Sequence, residues 1–176
     1  MRPVIVYHSK TGFTREYARW MAEELSCGCV PFEKRDTVDF SRYDTVLFGS
    51  WCHAGKLKKF KWFRDMLPGW KGKRKFLFAV GASPAGSPQI EAFLEKLEET
   101  GEDVKAFYLP GGLRYEQMGA VSKAMMRLFA FLVGKKKGKT PEEETMARMI
   151  RRSYDISAKK YLAPLLETVR RTETTS

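Results

Sequence analysis

The chain has 176 residues, 43% of them hydrophobic and 30% charged, which is typical of one globular domain rather than a disordered chain. The first apolar run, residues 4–7, is too short for a secretory signal, and no apolar stretch reaches the roughly 18 residues of a membrane-spanning helix. The net charge of +11 favours an anionic partner, without choosing among a nucleic acid, an anionic membrane face and an acidic protein or ligand.

The cysteines and histidines limit the chemistry further. Three cysteines are too few and too poorly spaced for a disulfide framework, and the two histidines add no metal-ligand spacing. We therefore expect a reduced, cytoplasmic protein with no structural zinc.

Short apolar runs alternate with helical patterns along the chain. The runs predict five strands, near residues 4–7, 30–32, 45–48, 76–80 and 104–109. Apolar residues at helical spacing predict helices over 13–25, 57–63 and 90–97, and a last helix from Pro141 to about Arg171 that Pro164 should kink or divide. This alternation indicates a single α/β domain, residues 1–176, whose parallel sheet is covered on both faces.

In such folds the ligand binds beyond the carboxyl ends of the strands. The loops to consider are therefore 8–14, 49–56, 81–87 and 110–115. The first follows a strand and opens a helix, whose free N–H groups form an anion site. Ser9, Thr11 and Thr14 add hydroxyls, and Gly12 allows a tight turn. The loop matches neither a Walker A motif nor GxGxxG, and its spacing fits a phosphate ester or an ordinary helix cap equally well.

Each of the other three loops also allows two interpretations. Trp51 and His53 could stack on a flat ring, or Trp51 could cap the core within a turn. The amides of 81–87 could meet the polar edge of a flavin, or the loop could be a plain connection with Ser87 as the helix cap. Arg114 and Tyr115 could line the site or meet an anionic substrate, or Arg114 could be a surface residue of a turn.

Together these loops resemble the flavodoxin superfamily. The S-x-T-G-x-T pattern of residues 9–14 is similar to its FMN phosphate loop. Residues 7–16, 43–50 and Gly112-Leu113-Arg114-Tyr115 with the following Met-rich helix resemble a narrower family, the flavodoxin-domain proteins that include bacterial menaquinone-dependent protoporphyrinogen oxidases. The resemblance implies a flavodoxin-like three-layer sandwich, a five-stranded parallel sheet of order 2-1-3-4-5, non-covalent FMN, and transfer of one or two electrons.

The resemblance also assigns residues by position, without naming a catalytic residue. Arg114 and Tyr115 are the predicted substrate contacts. The predicted phosphate contacts are Ser9, Lys10, Thr11, Gly12, Phe13 and Thr14. The residues predicted to flank the flavin ring are Ser50, Trp51, Cys52, His53, Ala54, Gly55, Gly81, Ala82, Ser83 and Gly86.

Two departures from the resemblance bear on function. The loop after the fourth strand lacks an aromatic residue to stack on a flavin, and the chain is basic where small electron carriers are typically acidic. We therefore predict an oxidoreductase that passes electrons between a reduced substrate and a quinone or protein acceptor. The alternatives are a protoporphyrinogen oxidase of haem synthesis and a flavin-free binding or membrane-associated adaptor.

A Met-rich segment precedes three lysines. Its residues Met125, Leu128, Phe129 and Leu132 have helical spacing. Such a helix could lie on an anionic bilayer, at the inner face of the cell membrane and near a quinone pool, or pack on the core with a solvated lysine tail. Nucleic acid binding is not expected, because the sequence has no zinc finger, RNP motif or basic reader helix. The lysines of this segment are Lys135, Lys136 and Lys137.

Overall fold

A computed structural model describes residues 1–53 and 55–171, except for the side chain of Glu142. The strands are β1 (Pro3–His8), β2 (Gly28–Pro31), β3 (Thr45–His53), β4 (Lys56–Leu57), β5 (Arg74–Gly81), β6 (Val104–Pro110), β7 (Gly112–Leu113) and β8 (Tyr154–Asp155). The α-helices are α1 (Phe13–Glu24), α2 (Phe60–Met66), α3 (Pro88–Glu98), α4 (Ala120–Lys135), α5 (Pro141–Met149) and α6 (Ala163–Arg171).

Five parallel strands form the centre of the fold in the order β2-β1-β3-β5-β6. This confirms the predicted order 2-1-3-4-5, because the two-residue β4 pairs only with the end of β3, in antiparallel orientation. The central strands are buried on both faces, and for this reason their sequences are continuous apolar runs rather than alternating ones.

Two hydrophobic clusters cover the two faces of the sheet. On one face, Ile5 and Leu47 pack with Tyr17 of α1 and Leu165 of α6. On the other face, alternate strand residues such as Val6 pack with side chains of α2 and α3. The arrangement is the predicted three-layer sandwich, and it leaves the carboxyl ends of the strands as the place where loops gather.

The second predicted helix begins later than expected. Leu57 lies in β4, opposite Cys52, because the chain turns straight back after β3 to form a short antiparallel pair. The helix begins only at Phe60 and is followed by a 3-10 helix over Leu67–Trp70.

The prediction of one long last helix is wrong. The segment forms α5 and α6, and the break follows Ile150 rather than Pro164. Between the two helices the chain becomes extended and pairs with β7, which removes Tyr154 and Asp155 from helical conformation. Pro164 is the second residue of α6, a position where its missing N–H costs no hydrogen bond.

The segment from β7 to β8 forms a third cluster beside the loops. Leu113, Ala130 of α4 and Ile150 are its buried residues. Within the ranges given above, no helix is long and apolar enough to cross a membrane.

Candidate functional site

The four predicted loops contact one another at the carboxyl edge of the sheet. The Lys10 ammonium lies 5.3 Å from the centre of the Trp51 ring, which joins the first loop to the second. The Gly111 N–H donates to the Gly81 carbonyl at 2.7 Å, which joins the fourth to the third. Arg114 donates to the Thr11 carbonyl at 3.1 Å, which joins the fourth to the first. The loops therefore form one continuous candidate site.

The first loop has the backbone of an anion site. Gly12 directly precedes α1 and has φ +96°, in the left-handed region that favours glycine. A Cβ at this position would also lie 2.6 Å from Nη1 of Arg114. Within the described part of the chain no side chain caps α1, so the N–H groups of its first turn can donate to a ligand. Thr14 is buried in this turn, while Lys10 is exposed beside it.

Three buried polar side-chain atoms without a partner lie on the first two loops, while others, such as Arg35 Nε and Trp70 Nε1, lie elsewhere in the part of the chain that the structure describes. Among the described residues, Ser9 Oγ, Ser50 Oγ and Trp51 Nε1 are buried and lack a hydrogen-bond partner. Leaving such a group unpaired costs about 1–3 kcal/mol, so their grouping points to a missing ligand. Ser9 and Trp51 are partly exposed as residues and can turn toward a ligand, whereas Ser50 is fully buried within β3.

This donor set fits a ligand that carries a phosphate at one end and a flat ring with polar edges at the other. The α1 amides and the Ser9 hydroxyl suit the phosphate, because both can donate to its oxygens. The Trp51 indole N–H is a donor beside an aromatic surface and suits the ring.

Trp51 lies in a basic and aromatic setting at this edge. Besides Lys10, the Lys58 ammonium lies 5.5 Å from its ring centre. The rings of His8 and His53 have their centres 6.4 and 5.9 Å away. Trp51 is half-buried at the rim and belongs to none of the described core clusters, so the interpretation that it caps the core does not hold.

The remaining residues of the second loop differ in their exposure. The side chain of Cys52 packs into the core, where burial raises the pKa of its thiol to about 12 and makes it unreactive. His53 and Gly55 are exposed at the rim, and Ala54 lies outside the described residues.

His8 belongs to the site although the sequence did not single it out. Its ring lies against Trp51, and its Nδ1 is 3.3 Å from a carboxylate oxygen of Glu33. Burial lowers the pKa of His8, and the hydrogen bond and charge of Glu33 offset only part of this effect. Its position as the last residue of β1 is the sequence signal that could have found it.

The backbone of the third loop is held by two tyrosines that the sequence did not identify. Tyr108 donates its hydroxyl to the Ser83 carbonyl at 2.8 Å and accepts from the Ser83 N–H at 3.1 Å. Tyr154 donates to the Ala82 carbonyl at 2.7 Å. The Ser83 amide, predicted to face a cofactor, therefore already has a partner. Gly81 leaves room for Tyr108, whose hydroxyl would lie 2.4 Å from a Cβ there, and Gly86 is an exposed left-handed turn residue.

The two predicted substrate contacts both have partners within the chain. The Arg114 guanidinium lies 4.0 Å from the centre of the Phe13 ring and pairs with Asp155 at 2.9 Å and Glu16 at 3.4 Å. Tyr115 donates its hydroxyl to the Ile150 carbonyl. Arg114 thus lies over the first loop rather than on an isolated surface turn, and substrate contact by either residue stays a prediction.

A family model described as a flavodoxin domain matches residues 4–140. Similar solved structures include a Lactobacillus acidophilus flavoprotein in complex with FMN (16% identity, 62% of this chain and 91% of that one, TM-score 0.42). Another is the Trp repressor binding protein of Bacillus subtilis (13% identity, 79% of this chain and 100% of that one, TM-score 0.48). A third is a flavodoxin from the domain Archaea (15% identity, 86% of this chain and 94% of that one, TM-score 0.45). At these identities the similarities concern the fold alone, and no curated protein matches the chain.

Proposed function

The chain belongs to the flavodoxin domain family, and from this membership we propose that it binds FMN and passes electrons between a reduced substrate and a quinone or protein acceptor. The observation that carries the proposal is the group of unpaired donors at the carboxyl edge of the sheet. Ser9 Oγ and the uncapped amides of α1 belong to the first loop and its helix, and Trp51 Nε1 belongs to the second loop. A phosphate ester joined to a flat ring would satisfy all three kinds of donor.

The first loop has the task of holding the phosphate. The amides of the first turn of α1 donate to its oxygens, and Gly12 keeps the backbone free of a side chain at the point of closest approach. Lys10 places a positive charge at the rim, where its ammonium also donates to the Ser122 hydroxyl at 2.8 Å.

The second and third loops have the task of holding the ring. Trp51 offers an aromatic surface and an N–H donor, while Tyr108 and Tyr154 hold the backbone of the third loop. FMN, when bound, supplies transfer of one or two electrons, and the protein contributes position and electrostatics.

A more specific candidate function is that of a protoporphyrinogen oxidase. It is supported by the Gly112–Tyr115 segment and by a groove of about 400 Å³ that begins at Gly12 and Arg114 and follows α1. Arg15 and Arg19 add two further arginines to this groove, against the carboxylates of Glu16 and Glu23. The exposed Arg15 and Arg19 could bind a substrate that carries carboxylates.

The proposal is tested in two steps. Purified protein is titrated with FMN while flavin absorption and fluorescence are followed; absence of binding would favour the flavin-free adaptor. If FMN binds, the loaded protein is mixed anaerobically with protoporphyrinogen and a quinone. Formation of porphyrin together with quinol would support the protoporphyrinogen oxidase. If protoporphyrinogen does not reduce the flavin but other electron donors do, the protein would be an oxidoreductase with a different substrate.

A further inference from the structure

The helix α4 carries apolar residues on two sides, and among the described residues only one of these sides has a protein partner. Met126, Ala130 and Val133 face the third cluster and pack near Leu113 and Ile150. Away from that cluster, α4 has six large apolar side chains that are at least half exposed, and the side with most of them is here called the solvent face of α4. These are Val121 (75%), Met125 (56%), Leu128 (59%), Phe129 (50%), Phe131 (56%) and Leu132 (57%).

The spacing of these residues makes the face continuous. Val121, Met125, Leu128 and Leu132 follow one another at intervals of four, three and four residues, which places them in one row along three turns of the helix. Phe129 and Phe131 flank this row on its two sides, because residues two apart on a helix do not share a face. An exposed apolar row of this length is typical of a surface that binds another protein or a membrane.

The charges around the face indicate which partner it is. Residues 118–140 contain six basic and no acidic residues. Lys135 and Lys137 are exposed at the end of α4, and Arg127 is exposed on its side. Basic side chains flanking an apolar helix face are the arrangement that binds anionic lipid headgroups while the apolar residues enter the acyl boundary. A symmetric pair of copies would instead place two such basic groups against each other.

We propose that the solvent face of α4 docks on an anionic bilayer surface. The helix would lie in the plane of the interface, with its row of apolar residues inserted and Arg127, Lys135 and Lys137 at the headgroups. Lys136 contributes less, because its ammonium already contacts Glu143 at 2.6 Å.

Docking would also set the position of the candidate site. The Ser122 hydroxyl near the start of α4 accepts a hydrogen bond from Lys10 of the first loop. The candidate site therefore lies next to the N-terminal end of α4, the helix that would lie on the membrane. An acceptor dissolved in the bilayer would then be within reach of this edge. That consequence depends on the proposed function, whereas the docking itself depends only on α4.

Co-sedimentation with vesicles tests the proposal. The full chain is mixed with phosphatidylcholine vesicles containing about 30% phosphatidylglycerol and with pure phosphatidylcholine vesicles, each with and without FMN. We expect binding to the anionic vesicles in both cases. Failure of FMN binding would therefore leave the docking result intact, and failure of docking would leave the FMN result intact.

Three variants separate the contributions. Met125→Gln/Leu128→Gln/Leu132→Gln removes the apolar row while keeping good helix formers, and should weaken binding by at least about tenfold. Lys135→Gln/Lys137→Gln should weaken binding and reduce its dependence on salt. Lys71→Gln/Lys96→Gln removes the same charge from exposed sites away from α4 and should bind as the wild type does. Circular dichroism and thermal unfolding establish that each variant is folded.

Several results would overturn the proposal. These are absence of wild-type binding to the anionic vesicles, unchanged binding of the folded apolar variant, and equal loss in the Lys71/Lys96 control. A wild-type dimer in sedimentation velocity that the apolar variant converts to monomer, without vesicle binding, would assign the face to a second copy of the chain instead.

Discussion

The guanidinium of Arg114 donates a hydrogen bond to the backbone carbonyl of Thr11, 103 residues earlier in the chain. The same group lies over the Phe13 ring and contacts two carboxylates, those of Asp155 and Glu16. It therefore links the first loop, the start of α1 and β8 through one side chain. We infer that Arg114 is a positioning residue that holds the proposed phosphate loop in shape.

Replacing Arg114 with Lys should weaken FMN binding by about tenfold, since a point charge cannot hold a carbonyl and two carboxylates in the geometry of a planar fork. Affinity is measured by quenching of flavin fluorescence. Arg64→Lys, at an exposed position of α2, is the matched control and should bind normally. Equal affinities for Arg114→Lys and the wild type would refute the positioning role.

Gly12→Ala should both destabilise the protein and weaken FMN binding. The left-handed backbone costs an L-residue about 1–2 kcal/mol, and the new Cβ would press on Arg114. Gly138→Ala separates the two effects, because Gly138 has φ +69° but a Cβ added there would meet no heavy atom within 4 Å. Urea unfolding should show a loss in both variants, with weaker FMN binding only in Gly12→Ala; normal FMN binding by Gly12→Ala would contradict the role of this turn.

Ser9→Ala should change affinity and stability in different ways. Because the Ser9 hydroxyl is buried without a partner, its removal should leave the FMN-free protein equally stable or slightly more stable. The loss of a phosphate contact should weaken FMN binding by about fivefold to tenfold.

The matched control for Ser9→Ala is Thr140→Ala, which removes the side-chain cap of α5. It should cost about 1 kcal/mol of stability and leave FMN affinity unchanged. If Ser9→Ala instead destabilises the FMN-free protein and keeps its affinity, Ser9 has a structural role only.

The Asp155 carboxylate should make stability depend on acid pH. Burial alone would raise the pKa of Asp155, but hydrogen bonds from Ser157 and the nearby Arg114 outweigh it and hold this pKa below its ordinary value. The contribution is present above the unfolded-state pKa of about 3.9 and is lost as pH falls through the lower folded-state pKa. Because Asp155 is half exposed, the contribution should stay below about 1 kcal/mol.

Urea unfolding between neutral pH and pH 3 measures this effect. Asp155→Asn should flatten the loss of stability in the acid range, whereas Glu102→Gln, which removes an exposed carboxylate elsewhere, controls for the change in net charge. An unchanged acid profile in Asp155→Asn would show that the ionised Asp155, with its contacts to Ser157 and Arg114, contributes nothing to the acid dependence of folding.

The sheet and its order could be predicted because they depend on local patterns. The central strands are buried on both sides and so appear as apolar runs. The glycines after two of these runs suggested where the strands end, although β3 continues past Gly49 to His53 and β5 ends at Gly81. The β7–β8 pair could not be predicted in the same way, since it joins two-residue segments more than forty positions apart that have no pattern of their own. That pair is also what divides the expected last helix.

The site could be located from sequence but not described in detail. The rule that ligands bind beyond the carboxyl ends of parallel strands selected the four loops. It could not show that the Ser83 amide donates to the Tyr108 hydroxyl, or that Arg114 donates to the Thr11 carbonyl, because both hydrogen bonds depend on how distant segments pack. The sequence also could not show which side of α4 faces solvent, since helical spacing alone does not say which side packs on the core.

The most direct test of the proposed function is the amount of FMN that the wild-type chain retains after saturation with FMN and exhaustive dialysis. The unpaired donors of the first two loops predict a single bound FMN per chain, with the protein's flavin absorption distinct from that of free FMN. A folded protein that retains no flavin would contradict the account.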